Sequence, residues 1–228
     1  MNSSAGSPQH GHDPTPLLDF TIDEVTPMPY AAVPTLRFVL RTSAAQRAWV
    51  RGINLSVQVR VDAARRRYDA NAQRRLALLF GPAEQWGKSV RSFFWTQAVV
   101  AVPPFNGSTQ IDLAMPCTYD FDLAITQYAH GLVDGEIPLV FLFSGSVFYD
   151  DHEGQLRVGR VPLDREATFA LPVRIWRQTM DLYFPNTAWL RVSRDTFDRL
   201  TEVRIRQGKT SWDAVLETLL PPAQAARD

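Results

Sequence analysis

The segment from Ile137 to Tyr149, with the sequence IPLVFLFSGSVFY, constrains the fold most, because both of its alternating faces are apolar. One face carries Ile137, Leu139, Phe141, Phe143 and Val147, and the other carries Val140, Leu142 and Phe148. Its β-branched and aromatic residues, together with Pro138 and the Ser144-Gly145-Ser146 interruption, favour a strand over a buried helix. Successive side chains of a strand point to opposite faces, so this strand is expected to be covered on both sides. We therefore predict that it is the central strand of the core, with Phe141 as a structural residue.

Eight further segments alternate apolar with polar residues, which is the pattern of half-buried strands. They are residues 17–25, 35–42, 55–62, 93–102, 111–115, 119–126, 156–161 and 167–171. The turn sequence Asn106-Gly107-Ser108 predicts a hairpin between 93–102 and 111–115. Short strands separated by turn signals, with helices only inserted or appended, indicate an antiparallel β-sandwich rather than an alternating β-α fold.

A local pattern around Tyr119 refines this fold class. Leu113, Pro116, Tyr119, Phe121 and Leu123 are spaced as in the tyrosine corner of immunoglobulin and fibronectin-like domains. In such a corner a tyrosine hydroxyl bonds to backbone a few residues upstream. A plain edge turn is the alternative interpretation. The fold expected is mainly β: an antiparallel immunoglobulin-like β-sandwich with an inserted helix and a C-terminal helical extension, and Tyr119 is a structural residue in it.

Helical periodicity occurs in two places. Asp69 can cap a helix that places Leu76, Leu79 and Phe80 on one side, and the period returns after Pro172. The apolar face of the later helices is expected to pack on the sandwich, and the alternative is that it faces a partner. The expected organisation is a disordered tail at 1–16, a β-sandwich domain at 17–171 with an inserted helix at 69–80, a helical extension packed on the sandwich at 172–220, and a tail at 221–228.

The charge balance excludes several classes of partner. Lys plus Arg and Asp plus Glu number 24 each, so no global field favours nucleic acid or an anionic membrane. Apolar runs stay well below the roughly 18 residues of a membrane span, and the start of the chain lacks the pattern of a secretory signal. The single cysteine, Cys117, excludes an internal disulfide and fits a reducing compartment. We expect a cytoplasmic protein without a nucleic-acid or membrane partner.

The sequence contains no strong catalytic motif. Asp120 and Asp122 share one face of a predicted strand and could form a carboxylate pair, although outward-facing charges explain them equally well. His130, with Asp134 and with Ser144 or Ser146, has the residue types of a triad, but a triad needs a geometry that sequence does not supply. We therefore expect no catalytic residues and no cofactor, with a hydrolase-like enzyme that uses the Asp120, Asp122 and His130 region as the alternative.

Metal binding has two weak candidates. His10, His12 and Asp13 offer ligands in a tail that lacks pre-organisation. Residues Asp150 to Glu153 offer hard oxygen ligands, but they lack the spacing of a recognised calcium loop. We expect no metal site and interpret 150–153 as a solvated hairpin turn, with a metal-binding sandwich as the alternative. Cys117 has no second thiol nearby and is expected to be a buried structural residue.

A basic cluster is the best candidate for contact with a partner. It consists of Arg65, Arg66, Arg67, Arg74 and Arg75 around Tyr68. Arginine forks pair with carboxylates or phosphates, so this cluster could meet an acidic partner. An exposed helix entry is the alternative interpretation.

Four runs of the sequence resemble an uncharacterised bacterial family, a domain of unknown function common in actinobacteria. They are RRRYDANAQRRLALLFG, WGKSVRSFFWTQ, PCTYDFDLAITQYAHGLVDGEIPLVFLFSGSVFY and VPLDREATFALPVRIWRQTMDLYFPNTAWLRVSRDTFDRL. The resemblance covers nearly all of 17–220, and it supplies no activity or catalytic residue to carry over. The genes of this family often lie beside nickel-iron hydrogenase genes. The resemblance therefore implies an accessory or assembly role and a hydrogenase component as partner. We therefore expect an accessory or protein-interaction protein that acts without catalysis.

The tyrosine corner generates a test of the topology. Tyr119→Phe removes one hydroxyl, and a net loss of roughly 0.5–1.5 kcal/mol is expected if that hydroxyl makes an intramolecular hydrogen bond. Denaturant unfolding of the two proteins measures the difference. An unchanged midpoint would leave Tyr119 as an ordinary aromatic residue and remove the best sequence support for an immunoglobulin-like topology.

Overall fold

The computed structural model describes residues 15–45, 49–117, 123–187 and 190–220. The strands are β1 (Leu18–Pro27), β2 (Thr35–Ala44), β3 (Trp49–Asp62), β4 (Ser92–Val102), β5 (Phe105–Asn106), β6 (Ser108–Pro116), β7 (Glu136–Asp150), β8 (Leu156–Val161) and β9 (Glu166–Pro172). The helices are α1 (Ala70–Arg75), α2 (Ala77–Phe80), α3 (Trp86–Ser89), α4 (Ala124–Gly131), α5 (Val173–Tyr183), α6 (Arg194–Arg206) and α7 (Trp212–Glu217). The chain forms two compact units, Met1–Ala188 and Trp189–Asp228.

The first unit is built on two antiparallel sheets. The smaller sheet has the strand order β1-β2-β6, and the larger has β4-β3-β7-β8, with β5 beside β3 and β9 beside β7. Every strand pair among the described residues is antiparallel. The fold is therefore mainly antiparallel β, as the alternating sequence pattern predicts.

Strand β7 is the centre of the larger sheet. It pairs with β3 along one side, and on the other side with β9 through residues 136–142 and with β8 through residues 145–150. The inner residues Ile137, Leu139, Phe141, Phe143 and Val147 are all buried, as predicted. The expectation that the second face is also covered is wrong, because Val140, Leu142 and Phe148 remain partly exposed. Cross-strand neighbours such as Arg60 and Thr168, which flank Val140, shield this face in place of a second layer.

Aromatic rings join the two sheets into one core. The Phe20 ring of β1 stacks on Phe143 of β7 with centroids 4.4 Å apart. Phe38 of β2 meets Phe141 of β7 at 5.2 Å and Phe169 of β9 at 5.8 Å, both edge to face. Edge-to-face pairs are favoured by the quadrupoles of the rings, so these contacts fix orientation as well as burial.

The predicted hairpin between 93–102 and 111–115 is wrong. Strand β4 pairs with β3 in the larger sheet, whereas β6 pairs with β2 in the smaller one. Pro103 and Pro104 follow β4 directly. Because proline has no N–H to donate, the pairing of β4 stops there. The chain pairs once more with β3 through β5 and crosses to the other sheet only after Asn106.

The predicted strand at 119–126 is wrong in its described part, where α4 begins at Ala124. Ile125, Tyr128, Ala129 and Leu132 are buried, and their spacing follows the period of a helix. Leu123, expected to point inward, is exposed. Tyr119, Asp120 and Asp122 lie outside the described residues, so the tyrosine corner remains a prediction.

Two short helices occupy the segment 69–80. The Asp69 carboxylate accepts a hydrogen bond from the Ala72 N–H at 2.7 Å and caps α1. Leu76, with φ −93° and ψ 3°, interrupts the helix, and α2 follows it. Leu76 and Phe80 are both buried, so the insertion packs onto the core at the break and at the end of α2.

Helix α5 belongs to the core of the first unit. Val173, Trp176 and Met180 lie in the same hydrophobic cluster as the strands. The Tyr183 hydroxyl donates to the Met28 carbonyl at 2.7 Å and accepts from the Ala31 N–H at 2.8 Å. These bonds fix the end of α5 to the connection between β1 and β2.

The second unit contains α6 and α7. Ser193 and Ser211 cap the two helices through hydrogen bonds from Thr196 and Ala214. The Phe197 and Trp212 rings lie 5.1 Å apart, and the Arg204 guanidinium lies 4.5 Å from the Trp212 ring centre. A ring pair and a cation-π contact therefore join the two helices.

The core generates a stability prediction at Phe141, which is fully buried. Phe141→Ala is expected to lower the free energy of unfolding by about 3–5 kcal/mol, because it removes a large side chain and leaves a cavity. Denaturant unfolding measures the loss, and Val158→Ala on exposed β8 is the control, with a change within about 0.5 kcal/mol. A loss below about 1 kcal/mol at Phe141 would contradict the packing of β7.

Gly145 generates a second prediction. It has φ +148°, and a Cβ added there would lie 2.0 Å from the Asn54 carbonyl oxygen of β3. Gly145→Ala is expected to destabilise the protein by at least about 1–3 kcal/mol, through backbone strain and separation of the two strands. Gly87→Ala is the matched control, because nothing lies within 4 Å of its Cβ position. Equal unfolding midpoints for the two variants would rule out the close approach of β3 and β7 at this point.

Candidate functional site

The segment between β3 and β4, residues 63–91, concentrates positive charge, and we call it the basic insertion. Seven of its side chains are basic and two are acidic, in a chain whose formal net charge is zero. The basic residues are Arg65, Arg66, Arg67, Arg74, Arg75, Lys88 and Arg91. The compensating negative charge therefore lies elsewhere in the chain.

An aromatic cluster holds the basic insertion in place. The Trp86 ring lies 5.1 Å from Tyr68 and 5.5 Å from Phe80. Tyr128 of α4 contacts Phe80 at 6.0 Å and Phe93 of β4 at 5.7 Å. The insertion is therefore packed against α4 and the start of β4 rather than being a free loop.

Two tyrosine hydroxyls add a hydrogen-bonded connection. The Tyr68 hydroxyl donates to the Ala63 carbonyl at 2.7 Å, and it lies 2.7 Å from the Tyr128 hydroxyl. Because Tyr68 uses its proton on Ala63, Tyr128 is the donor of the pair. Burial raises the pKa of both tyrosines above the ordinary value. Both hydroxyls are therefore protonated at neutral pH and serve as structural groups.

Arg66 points inward from the insertion. Its Nη1 donates to the Glu136 carbonyl at 2.5 Å and its Nη2 to the Asp134 carbonyl at 2.8 Å. Its Nε is buried and has no hydrogen-bond partner within the described part of the chain. Arg66 is half-buried and joins the insertion to the segment at the start of β7, and two of its guanidinium nitrogens are occupied by backbone carbonyls.

The other arginines of the predicted cluster stay at the surface. Arg65 pairs with Asp62 at 2.9 Å. Arg67, Arg74 and Arg75 are exposed, and among the described residues no hydrogen bond or ion pair involves their side chains. The structure thus leaves three free guanidinium groups on or beside α1.

Leu78 is an exposed apolar residue of the basic insertion, and it is not among the contact residues predicted from the sequence. It is 98% exposed on α2, although it belongs to the apolar run LALLF. Leu76 and Phe80 of that run are buried and Leu79 is partly buried. A helical period that gathers Leu76, Leu79 and Phe80 on one side turns Leu78 away from the core, and the structure agrees with that direction.

His130 lies on α4, beside a small cleft between α4 and α5. The cleft has a volume of about 170 Å³, and its lining is Thr126, Ala129, His130, Trp176, Arg177, Met180 and Asp181. The carbonyl of Leu132 accepts a hydrogen bond from Arg177. Ser144 and Ser146 lie on β7, paired with Ser56 and Asn54 of β3. Asp120 and Asp122 lie outside the described residues, so the enzyme alternative remains untested.

The carboxylates at 150–153 serve the turn between β7 and β8. Asp150 pairs with Arg51 at 2.9 Å, and Asp151 pairs with Arg157 at 2.8 Å. A backbone hydrogen bond from Gln155, assisted by Arg157, lowers the pKa of Asp151. Across the described ranges, no three or more His, Cys, Asp and Glu side chains form a group that could hold a metal ion. His10, His12 and Asp13 lie outside those ranges.

Cys117 is buried at the end of β6, as predicted. Its Sγ lies 3.7 Å from the Met115 carbonyl, and burial raises the pKa of the thiol to about 12. The thiol is therefore protonated at neutral pH, which makes it a poor nucleophile. Among the described helices, none has the length and apolar character needed to cross a membrane.

Several solved structures are similar to part of this chain, at low identity. The CARDB domain of a Pyrococcus furiosus protein, crystallised with di-metal ions, is 11% identical, with coverage of 69% of this chain and 92% of that chain and a TM-score of 0.28. A β-glucosidase from Kluyveromyces marxianus is 7% identical, with coverage of 69% and 15% and a TM-score of 0.26. β-Glucosidase 3B from Thermotoga neapolitana is 13% identical, with coverage of 68% and 17% and a TM-score of 0.25.

No curated protein sequence matches the chain. The sequence profile of one family does match, from residue 15 to residue 228, and that family is described as a family of unknown function. Since the match spans almost the whole chain, this protein belongs to the family of unknown function DUF6084.

Proposed function

We propose that this protein is a non-catalytic accessory protein that binds an acidic surface of another protein through the basic insertion. One observation carries the proposal: an ordered segment with seven basic and two acidic residues lies in a chain of zero net charge. Arg67, Arg74 and Arg75 are exposed there, and Leu78 is 98% exposed beside them.

The chemistry of these side chains suits recognition of carboxylates. A guanidinium group presents a planar fork of donors that binds a carboxylate through two parallel hydrogen bonds. A projecting leucine can fill an apolar pocket at the centre of an interface, where most binding energy is concentrated. Charges around such a contact steer the approach of an oppositely charged partner and raise the association rate.

The rigidity of the insertion supports the same conclusion. Tyr68 and Phe80 contact Tyr128, and Trp86 contacts Tyr68 and Phe80. These contacts hold the insertion in one arrangement before any partner arrives. Binding then requires little ordering of the backbone. Less conformational entropy is lost, and the affinity is higher for that reason. A disordered basic loop would lose the corresponding entropy on binding.

The proposal extends to architecture and context. The two sheets, packed through their aromatic inner faces, form an immunoglobulin-like β-sandwich that acts as a rigid support for the insertion. The protein acts in the cytoplasm. A component of a nickel-iron hydrogenase is the first partner to test, on the basis of the family resemblance alone.

Charge reversal tests the proposal. Arg67→Glu, Arg74→Glu and Arg75→Glu are combined in one variant, and tagged protein captures partners from its own host at about 50 mM and about 500 mM salt. The variant is expected to capture at least about tenfold less of the specific partner, because attraction becomes repulsion. Capture by the wild type is expected to fall at the higher salt, since screening weakens exposed charge pairs.

The matched control reverses three exposed arginines of α6, Arg194, Arg199 and Arg206, and changes the net charge by the same amount. Arg66 is excluded from the test because its loss would disturb the fold. Equal capture by the two triple variants contradicts a specific basic site. If Asp120→Asn, Asp122→Asn and His130→Ala abolish the activity of the protein in its host while the Arg67, Arg74 and Arg75 reversals do not, the enzyme alternative replaces this proposal.

A further inference from the structure

Strand β4 ends the larger sheet, and its second backbone edge is unpaired in the described part of the chain. It pairs with β3 on one side, and the described residues contain no hydrogen bond to the other side of the backbone between Phe93 and Val102. An open edge presents unpaired N–H and C=O groups to any other strand. The pairing of β4 with β3 is irregular between Val59 and Arg60 of β3. From Thr96 to Val102 of β4 the pairing is regular.

The other edge strands of the described sheets carry features that block pairing. In β1 these are Asp19, Asp23, Glu24 and a bulge after Ile22, and in β6 they are Asp112 and Pro116. β8 has six residues with Arg157 and Arg160, and β9 has seven with Glu166 and Pro172. Charges, prolines, bulges and short length are the usual protection against edge-to-edge association.

Strand β4 lacks most of this protection. Its 11 residues, SFFWTQAVVAV, include no charged residue, no proline and no glycine. Gln97, Val99 and Ala101 all lie on the outer side and are exposed, with Val99 at 77%. A long, uncharged and β-branched edge strand is the type that adds another strand.

We propose that β4 pairs in antiparallel fashion with β4 of a second copy of this chain, so that the two larger sheets become one continuous sheet. Residues directly opposite each other in an antiparallel pair point to the same face. Residues on one face of a strand have either all even or all odd numbers. The outer faces of the two copies therefore lie on the same side of the joint sheet only when both residue numbers of each pair are even or both are odd. Pairing of Val99 with Val99 of the second copy meets this condition, and it places Gln97 opposite Ala101.

The chemistry of the edge favours a second copy of the chain as the occupant. An isologous contact places each residue near itself or near its neighbours, so any charge on the edge would meet a like charge. Strand β4 has none, and the net charge of the whole chain is zero, so neither local nor global repulsion opposes self-association. This contact uses β4 and does not depend on the basic insertion.

Sedimentation velocity of the full chain between about 1 µM and about 100 µM tests the proposal. The wild type is expected to show a concentration-dependent dimer. Val99→Lys is expected to raise the dimer Kd at least about tenfold, because two lysines would face each other across the pair. Val158→Lys on β8 is the matched control, since Val158 is also exposed, at 63%, and its Kd is expected to stay within about twofold of wild type.

A cysteine variant tests the register separately. Opposite residues of an antiparallel pair lie about 4.5–5.5 Å apart at Cα, a separation that a disulfide can span. Val99→Cys is expected to form a disulfide-linked dimer on mild oxidation, and Val158→Cys is expected to stay monomeric on a denaturing gel. A wild type that remains monomeric at about 100 µM overturns the proposal. A folded Val99→Lys protein with wild-type Kd overturns it as well.

Discussion

Packing of aromatic rings between the two sheets is the interaction on which the other parts of the first unit depend. Phe38 is fully buried and contacts rings on three other strands, at Trp95, Phe141 and Phe169. Trp95 in turn contacts Trp176 of α5 at 5.8 Å. Both sheets and the helix that follows β9 are thereby fixed to one another. Such a densely packed interior transmits a fixed geometry to whatever is attached to it.

Helix α4 connects the basic insertion to this packed core. Tyr128 is fully buried, contacts Phe93 on β4, and shares a hydrogen bond with Tyr68 of the insertion. The backbone that carries the exposed positive side chains is thus held at a defined position. A small protein without a recognisable catalytic motif can in this way present a charged surface whose shape does not have to form on binding.

The sequence predicts what depends on local periodicity and misses what depends on partners far along the chain. The inner face of β7 could be read directly, because its alternation is strict and its residues are large and apolar. The crossing from β4 to β6 could not, because a turn sequence such as Asn106-Gly107 is the same whether the next strand joins the same sheet or another one. Likewise, Arg66 and Arg67 are adjacent residues of the same type, and the local sequence does not distinguish their roles. Arg66 binds the carbonyls of Asp134 and Glu136, whereas Arg67 stays exposed.

Arg66 couples two distant positions of the chain, its own and position 135. Gly135 has φ +75°, and a Cβ there would lie 2.9 Å from Arg66 Nη1. A side chain at 135 would therefore displace the guanidinium group, and a shorter cation at 66 could not reach two carbonyls with the same fork. Neither residue can change alone without loss. Over evolutionary time the two positions are expected to be retained or replaced together, although Arg66 and Gly135 are 69 positions apart in the sequence.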